Sequence, residues 1–241
     1  MPYFPDAHDE IGEVWFRAHH DHPVLIKFIF TSERLSVQVH PDDAYAAKHE
    51  NSRGKTEMWH ILAAEPGATI AIGFREELSK QRLREAIADG SIEKLLNWVP
   101  VAPGETYFVR AGIVHAIGAG VTLCEIQQNS DITYRLYDYG RGRELHVDKG
   151  LEVLETGAYE ALRPMPVKCE HFSTEEIHLK AGAPSTMVAD CLLVALEGAG
   201  TLDGYNIRQS EVWLVPADAG TLELGSCDQA RLLRITCGRG T

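Results

Sequence analysis

Three short segments carry unlike metal-binding side chains that could meet at one point: Gln38-Val39-His40, Lys55-Thr56-Glu57 and Val114-His115. Two imidazole nitrogens, a carboxylate and an amide oxygen make a hard-to-borderline donor set suited to Zn²⁺ or a similar divalent ion. The donors are mixed and include no Cys. That favours an open, catalytic metal over a closed structural one.

For these side chains to converge, strands must aim them. Gln38 and His40 are two residues apart, so a strand puts both on one face, with Val37 and Val39 on the other. Pro41 ends the pairing at once. Lys55 and Glu57 have the same spacing, and on a strand Lys55 shares the metal-facing side. Residues 24–30, 36–40, 58–63, 69–74, 106–109, 113–117, 121–127 and 134–137 read as such strands. Many are β-branched or aromatic, and turns such as Glu65-Pro66-Gly67 and Ala102-Pro103-Gly104 bound them. The pattern indicates an antiparallel barrel or sandwich. Residues 79–97 break it. Leu83, Ile87, Ile92, Leu95 and Leu96, interrupted at Gly90-Ser91, predict two short helices, the second capped by Ser91. Residues 148–154 predict another.

Composition shifts around Arg163-Pro164-Met165-Pro166, which marks a domain boundary. Beyond it, 192–197, 205–208, 212–215 and 231–236 are further strands, and 196–202 reads as a strand, a tight Gly turn and a strand. Residues 103–109 resemble 209–215, each followed by a turn, as a weak internal repeat would be. After Val215, Thr221 stands where a metal ligand would be expected, so a second barrel would hold no metal.

The 241 residues, 44% of them hydrophobic and 24% charged, can build one large domain or two small ones with real cores. A net charge of −12 and a sequence pI near 5.3 argue against a nucleic-acid or membrane-surface role. A small anionic substrate still fits, because a pocket can be locally basic. Cys124, Cys169, Cys191, Cys227 and Cys237 are odd in number, irregularly spaced and form no CxxC, which reads as reduced thiols in a cytosolic protein. Residues 1–10 are acidic and polar, with no apolar core of a signal peptide, and no apolar run is long enough to span a bilayer. A cytoplasmic location is expected.

From Gly104 the chain runs five residues to Arg110, one to Gly112 and two to His115. This resembles the second motif of the cupin superfamily, with Arg110 where Pro is usual and Ala119 where Asn is usual. The first cupin motif is altered: Gln38 replaces its first His, and Glu57 lies 17 residues after His40 instead of a few. That departure resembles the type I phosphomannose isomerases, whose metal site uses Gln, His, Glu and His. The likeness extends through Ser36-Val37-Gln38-Val39-His40-Pro41-Asp42-Asp43, Gly54-Lys55-Thr56-Glu57-Met58-Trp59 and Ala111-Gly112-Ile113-Val114-His115-Ala116-Ile117-Gly118. It continues from Glu125 to Asp138 and from Arg143 to Lys149, and runs from about Ile11 to Leu154. The chain is similar to the compact bacterial form of the family.

The resemblance implies interconversion of mannose 6-phosphate and fructose 6-phosphate with one bound zinc ion per chain. Gln38, His40, Glu57 and His115 would be its ligands, and Arg135 the active-site arginine. The implied fold is mainly β: two cupin-like jelly-roll barrels with a small helical insertion in the first. Residues 1–160 would form the metal-binding catalytic domain, with the insertion at about 79–98. Residues 161–241 would form a degenerate cupin-like domain without metal. The oligomeric state is left open.

The chemistry supports those roles. Aldose–ketose isomerisation moves a proton between C1 and C2 through an enediolate. A divalent ion can hold the sugar oxygens and stabilise the developing oxyanion, and a guanidinium such as Arg135 can add charge stabilisation or orient the open-chain sugar. Metal-bound water, Glu57 and Lys55 are all candidates for the base. Arg141, six residues after Arg135, is a candidate phosphate or sugar contact.

Blander readings compete. Gln38 could instead bond inside the barrel, and Arg135 could pair with Asp131 or Asp138. His60, His146, His171 and His178 read as satisfied core residues, and His19, His20 and His22 as a solvated loop. Competing functions are a metal-dependent cupin of another reaction type, such as an oxygenase, and a non-catalytic sugar-binding cupin. The Arg135 segment speaks against both.

Overall fold

The computed structural model describes residues 11–18, 21–226 and 228–238. Residues 1–10, His19, His20 and Cys227 therefore lie outside the described residues. The chain is mainly β and forms two compact units. One holds residues 12–17 and 21–164; the other holds the described residues from 165 onward, with Ile11 and Ala18. Among the described residues, no helix is long and apolar enough to cross a membrane.

The larger unit has ten strands: β1 (Glu13–Phe16), β2 (Val24–Phe30), β3 (Val37–Val39), β4 (Glu57–Ala64), β5 (Thr69–Phe74), β6 (Leu96–Pro100), β7 (Thr106–Val109), β8 (His115–Ile117), β9 (Val121–Gln128) and β10 (Tyr134–Tyr137). They form two five-stranded antiparallel sheets, ordered β1-β2-β9-β4-β7 and β10-β3-β8-β5-β6. This is a cupin-like jelly roll. Its interior is apolar where Ile29, Ile61, Ile70, Ile72, Ile117 and Leu123 meet.

Period-2 alternation turns the other side of β3 away from that interior. Val37 and Val39, with Val114, Ala116 and Leu136, pack on the helices. Those are α1 (Asp43–His49), α2 (Lys80–Asp89), α3 (Ile92–Leu95) and α4 (Val147–Val153). Leu83, Ala86 and Ile87 of α2, Ile92 of α3 and Leu151 of α4 supply the apolar contacts.

The insertion differs from its sequence reading in two ways. Leu96–Pro100 is a strand, not the end of a helix, because pairing with β5 completes the sheet edge and overrides local helix preference. Ser91 makes no side-chain cap bond; instead its N–H donates to Asp89 Oδ1 at 2.8 Å. Ser79 does cap α2, accepting from the Arg82 N–H at 3.1 Å.

The smaller unit contains β11 (Val167–Lys168), β12 (Phe172–Leu179), β13 (Ser185–Val188), β14 (Cys191–Glu197), β15 (Ala199–Leu202), β16 (Tyr205–Arg208), β17 (Val212–Val215), β18 (Thr221–Gly225) and β19 (Ala230–Cys237). Its sheets are ordered β11-β12-β19-β14-β17 and β13-β18-β15-β16. A core of Leu179, Leu193, Leu202, Ile207, Leu224 and Leu232, among others, lies between them.

The internal repeat has a physical counterpart. β7 and β17 are each the last strand of a five-stranded sheet. Glu105 Oε2 accepts from the Ala102 N–H at 2.8 Å and the Tyr107 hydroxyl at 2.7 Å. Glu211 Oε2 accepts from the Arg208 N–H and from Trp213 Nε1, both at 3.0 Å. One carboxylate thus closes each turn and ties the first aromatic of the strand.

Two histidine readings are corrected. His22 is buried, with Nδ1 2.8 Å from the Val24 carbonyl oxygen, because it leads directly into the buried strand β2. His178 is exposed beside Glu176, because its neighbours Ile177 and Leu179 take the inward face of β12.

Candidate active site

The segment before β4 is held from two sides. The Lys55 N–H donates to the Pro41 carbonyl at 3.0 Å, and the Thr56 N–H to Gln128 Oε1 at 2.8 Å. Asp43 Oδ1 accepts from both the Gly54 N–H, at 2.7 Å, and Gln128 Nε2, at 2.9 Å. Gly54 is needed for this close approach. A Cβ there would lie 2.4 Å from the Asp42 carbonyl carbon and 2.5 Å from the Asp43 nitrogen. Lys55 precedes the strand rather than lying on it, yet this clamp still sends Lys55 and Glu57 to one place.

We expect Gly54→Ala to cost ~1–3 kcal/mol of stability through overpacking against backbone, and to weaken metal retention by shifting Glu57. Chemical denaturation and elemental analysis measure both; wild-type values in each would refute the clamp.

His115 is launched by a tight turn. The Ile113 N–H donates to the Arg110 carbonyl, and Gly112, at φ +83°, donates its N–H to the His40 carbonyl at 2.9 Å. That left-handed φ suits Gly. Arg110, where cupins usually have Pro, forks onto Glu155, with Nη2 2.6 Å from Oε2. His40, Glu57 and His115 therefore meet inside the barrel, each about 1% exposed.

Glu57 Oε2 is 3.6 Å from His40 Nε2, and Oε1 is 3.4 Å from His115 Nε2. His40 Nδ1 donates to the Ile132 carbonyl at 2.8 Å and His115 Nδ1 to the Ile113 carbonyl at 2.9 Å. A carbonyl only accepts, so the proton sits on Nδ1 and each Nε2 presents a lone pair. These two Nε2 atoms and Glu57 Oε1 are buried with no hydrogen-bond partner, while Glu57 Oε2 pairs only with the Lys55 ammonium, 3.1 Å away.

Burial sets the charges. It depresses His40 well below the ordinary imidazole range, with Lys55 and His115 adding, and pushes His115 down to about 4. It raises Glu57 to about 7 despite Lys55, whose Nζ lies 3.1 Å away. Two neutral imidazoles and a carboxylate strained by desolvation are what a divalent cation would satisfy. All three side chains have ligating atoms within 4.8 Å of one another. The donor set fits zinc.

Gln38 stands in register with His115 on one side and Arg135 on the other. It faces, together with Lys55 and Arg135, a cavity of about 280 Å³. Arg141 is not part of that wall; its Nη2 lies 2.8 Å from Asp138 Oδ1. Arg143 binds the same Asp138 through Nε, at 2.7 Å from Oδ2, and does line the cavity. Asp138 is thus taken by Arg141 and Arg143, while Asp131 lies 3.7 Å from Arg17.

The cavity also contains residues the sequence reading did not single out. Lys27 and Glu125 are register partners on β2 and β9, with Nζ 3.3 Å from Oε2. Trp59 Nε1 donates to Glu125 Oε1 at 3.1 Å, and the Trp15 ring lies 3.9 Å from the Lys27 ammonium. Burial opposes the Glu125 charge, but Lys55 and Lys27 outweigh it and hold the carboxyl below its ordinary range. Burial likewise opposes the Lys55 charge, yet Glu57 and Glu125 keep its pKa above the usual value. The available signal was a single charge in the middle of each apolar strand, which must find a partner once buried.

No family profile matches the chain. It is 37% identical over 216 residues to a mannose-6-phosphate isomerase of Streptococcus mutans, covering 80% of this chain and 68% of that protein. It is 35% identical over 248 residues to mannose-6-phosphate isomerase ManA of Bacillus subtilis, covering 89% and 78%. Among solved structures, a mannose 6-phosphate isomerase from Bacillus subtilis superposes with a TM-score of 0.78 at 29% identity, over 89% of this chain and 75% of that one. A mutant phosphomannose isomerase from Salmonella typhimurium, 17% identical, shares the fold with a TM-score of 0.72 over 90% and 79%.

Proposed function

The chain belongs to the mannose-6-phosphate isomerase family, and from that premise we propose that it interconverts mannose 6-phosphate and fructose 6-phosphate through an enediolate, with one zinc ion per chain. The observation that carries this reading is the set of buried ligating atoms on His40, Glu57 and His115, lacking hydrogen-bond partners except for the Lys55 ammonium on Glu57. They lie beside a cavity lined by Lys27, Lys55, Arg135 and Arg143 together with Glu13, Glu125 and Asp131. With Gln38 they would hold the ion. When bound, it supplies Lewis-acid polarisation of the sugar oxygens.

The remaining work falls to the chain's own residues. Arg135 faces the cavity and offers a guanidinium to the oxygen on which negative charge develops. Glu125, a carboxylate on the cavity wall, is our candidate to take the proton that moves between C1 and C2, with the charges of Lys55 and Lys27 holding it ionised. Lys27 keeps it in place and balances its charge. Glu57 and Glu125 favour the protonated form of Lys55, and beside Glu57 it is placed to act as a charge or proton donor. Arg143, braced by Asp138, is the cation placed for the phosphate, with Arg141 bracing the same carboxylate from outside the wall.

The test is a coupled assay of mannose 6-phosphate conversion by purified, zinc-loaded protein. Turnover that is sensitive to a chelator supports the reading. No turnover above background would overturn it.

A further inference from the structure

Arg135 lies on β10, the outer strand of its sheet. An outer strand leaves alternate backbone groups without a strand partner. The pairing of β10 with β3 is also irregular immediately after Arg135. At this position a single residue, His146, supplies both missing partners. Its N–H donates to the Arg135 carbonyl at 2.7 Å, and its imidazole Nδ1 accepts from the Arg135 N–H at 3.2 Å. Arg135 Nη1 donates to the Glu144 carbonyl, two residues earlier, at 3.0 Å.

A second observation is independent of the first. His146 occupies the N-cap of α4, where Ser, Thr, Asp or Asn would normally bond the helix N–H groups. Its side chain makes no cap bond. It turns back to the strand instead.

We propose that His146 is the positioning residue for Arg135, its imidazole standing in for the carbonyl of an absent neighbouring strand. A backbone N–H only donates, so Nδ1 carries no proton and the ring is held with its hydrogen on Nε2. With both backbone groups of Arg135 turned toward His146, Arg135 and Gln38 face each other as a non-hydrogen-bonded pair, the register in which side chains come closest. The guanidinium is thereby set beside Gln38 at the cavity wall. The role in turnover rests on the isomerase reading above; the positioning itself does not.

The two are tested separately. In the wild-type protein, NMR should show a coupling across the hydrogen bond from the Arg135 amide to His146 Nδ1, and its absence would overturn the proposal. His146→Leu should speed exchange of the Arg135 amide roughly tenfold or more. It should also lower kcat roughly ten- to a hundredfold with KM and zinc content little changed, since a misplacement of ~1 Å can cost that much. His146→Asn, whose side-chain oxygen occupies the place of Nδ1, should restore slow exchange and most of kcat. In an Arg135→Ala background, His146→Leu should cost nothing further. Equal losses in the Asn and Leu variants, or a protected Arg135 amide in His146→Leu, would sink the idea. If the wild type does not turn over mannose 6-phosphate, the function falls, while the coupling and exchange results still decide the positioning.

Discussion

Purified protein is expected to hold close to one divalent ion per chain, and His115→Ala to lose most of it. His40 Nε2, His115 Nε2 and Glu57 Oε1 are buried without a hydrogen-bond partner, Glu57 Oε2 meets only the Lys55 ammonium, and a cation would satisfy this set together. Removing one of two imidazoles deletes a strong donor. Loss of an outer partner to a ligand typically costs ~10–100-fold in metal affinity, so loss of a ligand should exceed that. Chelation should abolish turnover, zinc should restore it, and the chelated protein should melt at a lower temperature, because a ligand bound only to the folded state adds stability. Elemental analysis of His40→Ala and His115→Ala checks the site. Unchanged metal in both variants would rule it out.

Arg135→Ala is expected to keep the fold and the zinc while losing turnover by two or more orders of magnitude. Removing a charge donor aimed at a developing oxyanion costs ~10²–10³ in rate, and the proposed role of Arg135 in orienting the open-chain sugar would add to that loss. The side chain makes one bond to the Glu144 carbonyl and otherwise looks into the cavity, so little stability depends on it. Arg135→Lys should rescue little, because a point charge does not reproduce the planar fork. The loss should fall on kcat if the contact strengthens in the transition state, and on KM if Arg135 only grips the ground-state phosphate. Near wild-type kcat in Arg135→Ala would remove it from the catalytic list.

Much of this site is legible in the chain because its signals are local. The spacing of Gln38 and His40 sets which side of β3 faces inward. The motifs around Glu57 and His115 pick out the side chains that cluster with His40, that around Arg135 the residue opposite Gln38, and the Gly90-Ser91 break divides α2 from α3. Two-residue periodicity and turn chemistry act over a few residues, so a sequence states them directly. Tertiary structure alone joined Lys27 to Glu125, because register between β2 and β9 pairs residues far apart in the chain. It also turned Leu96–Pro100 into a strand, since an open sheet edge outweighs weak helical preference. It set Arg143 rather than Arg141 on the cavity wall, because both bind Asp138 and only the path of the loop decides which one faces inward. And it gave His146 a role that no spacing announces: a strand edge needs an acceptor at Arg135, and which residue supplies it depends on where the following helix begins.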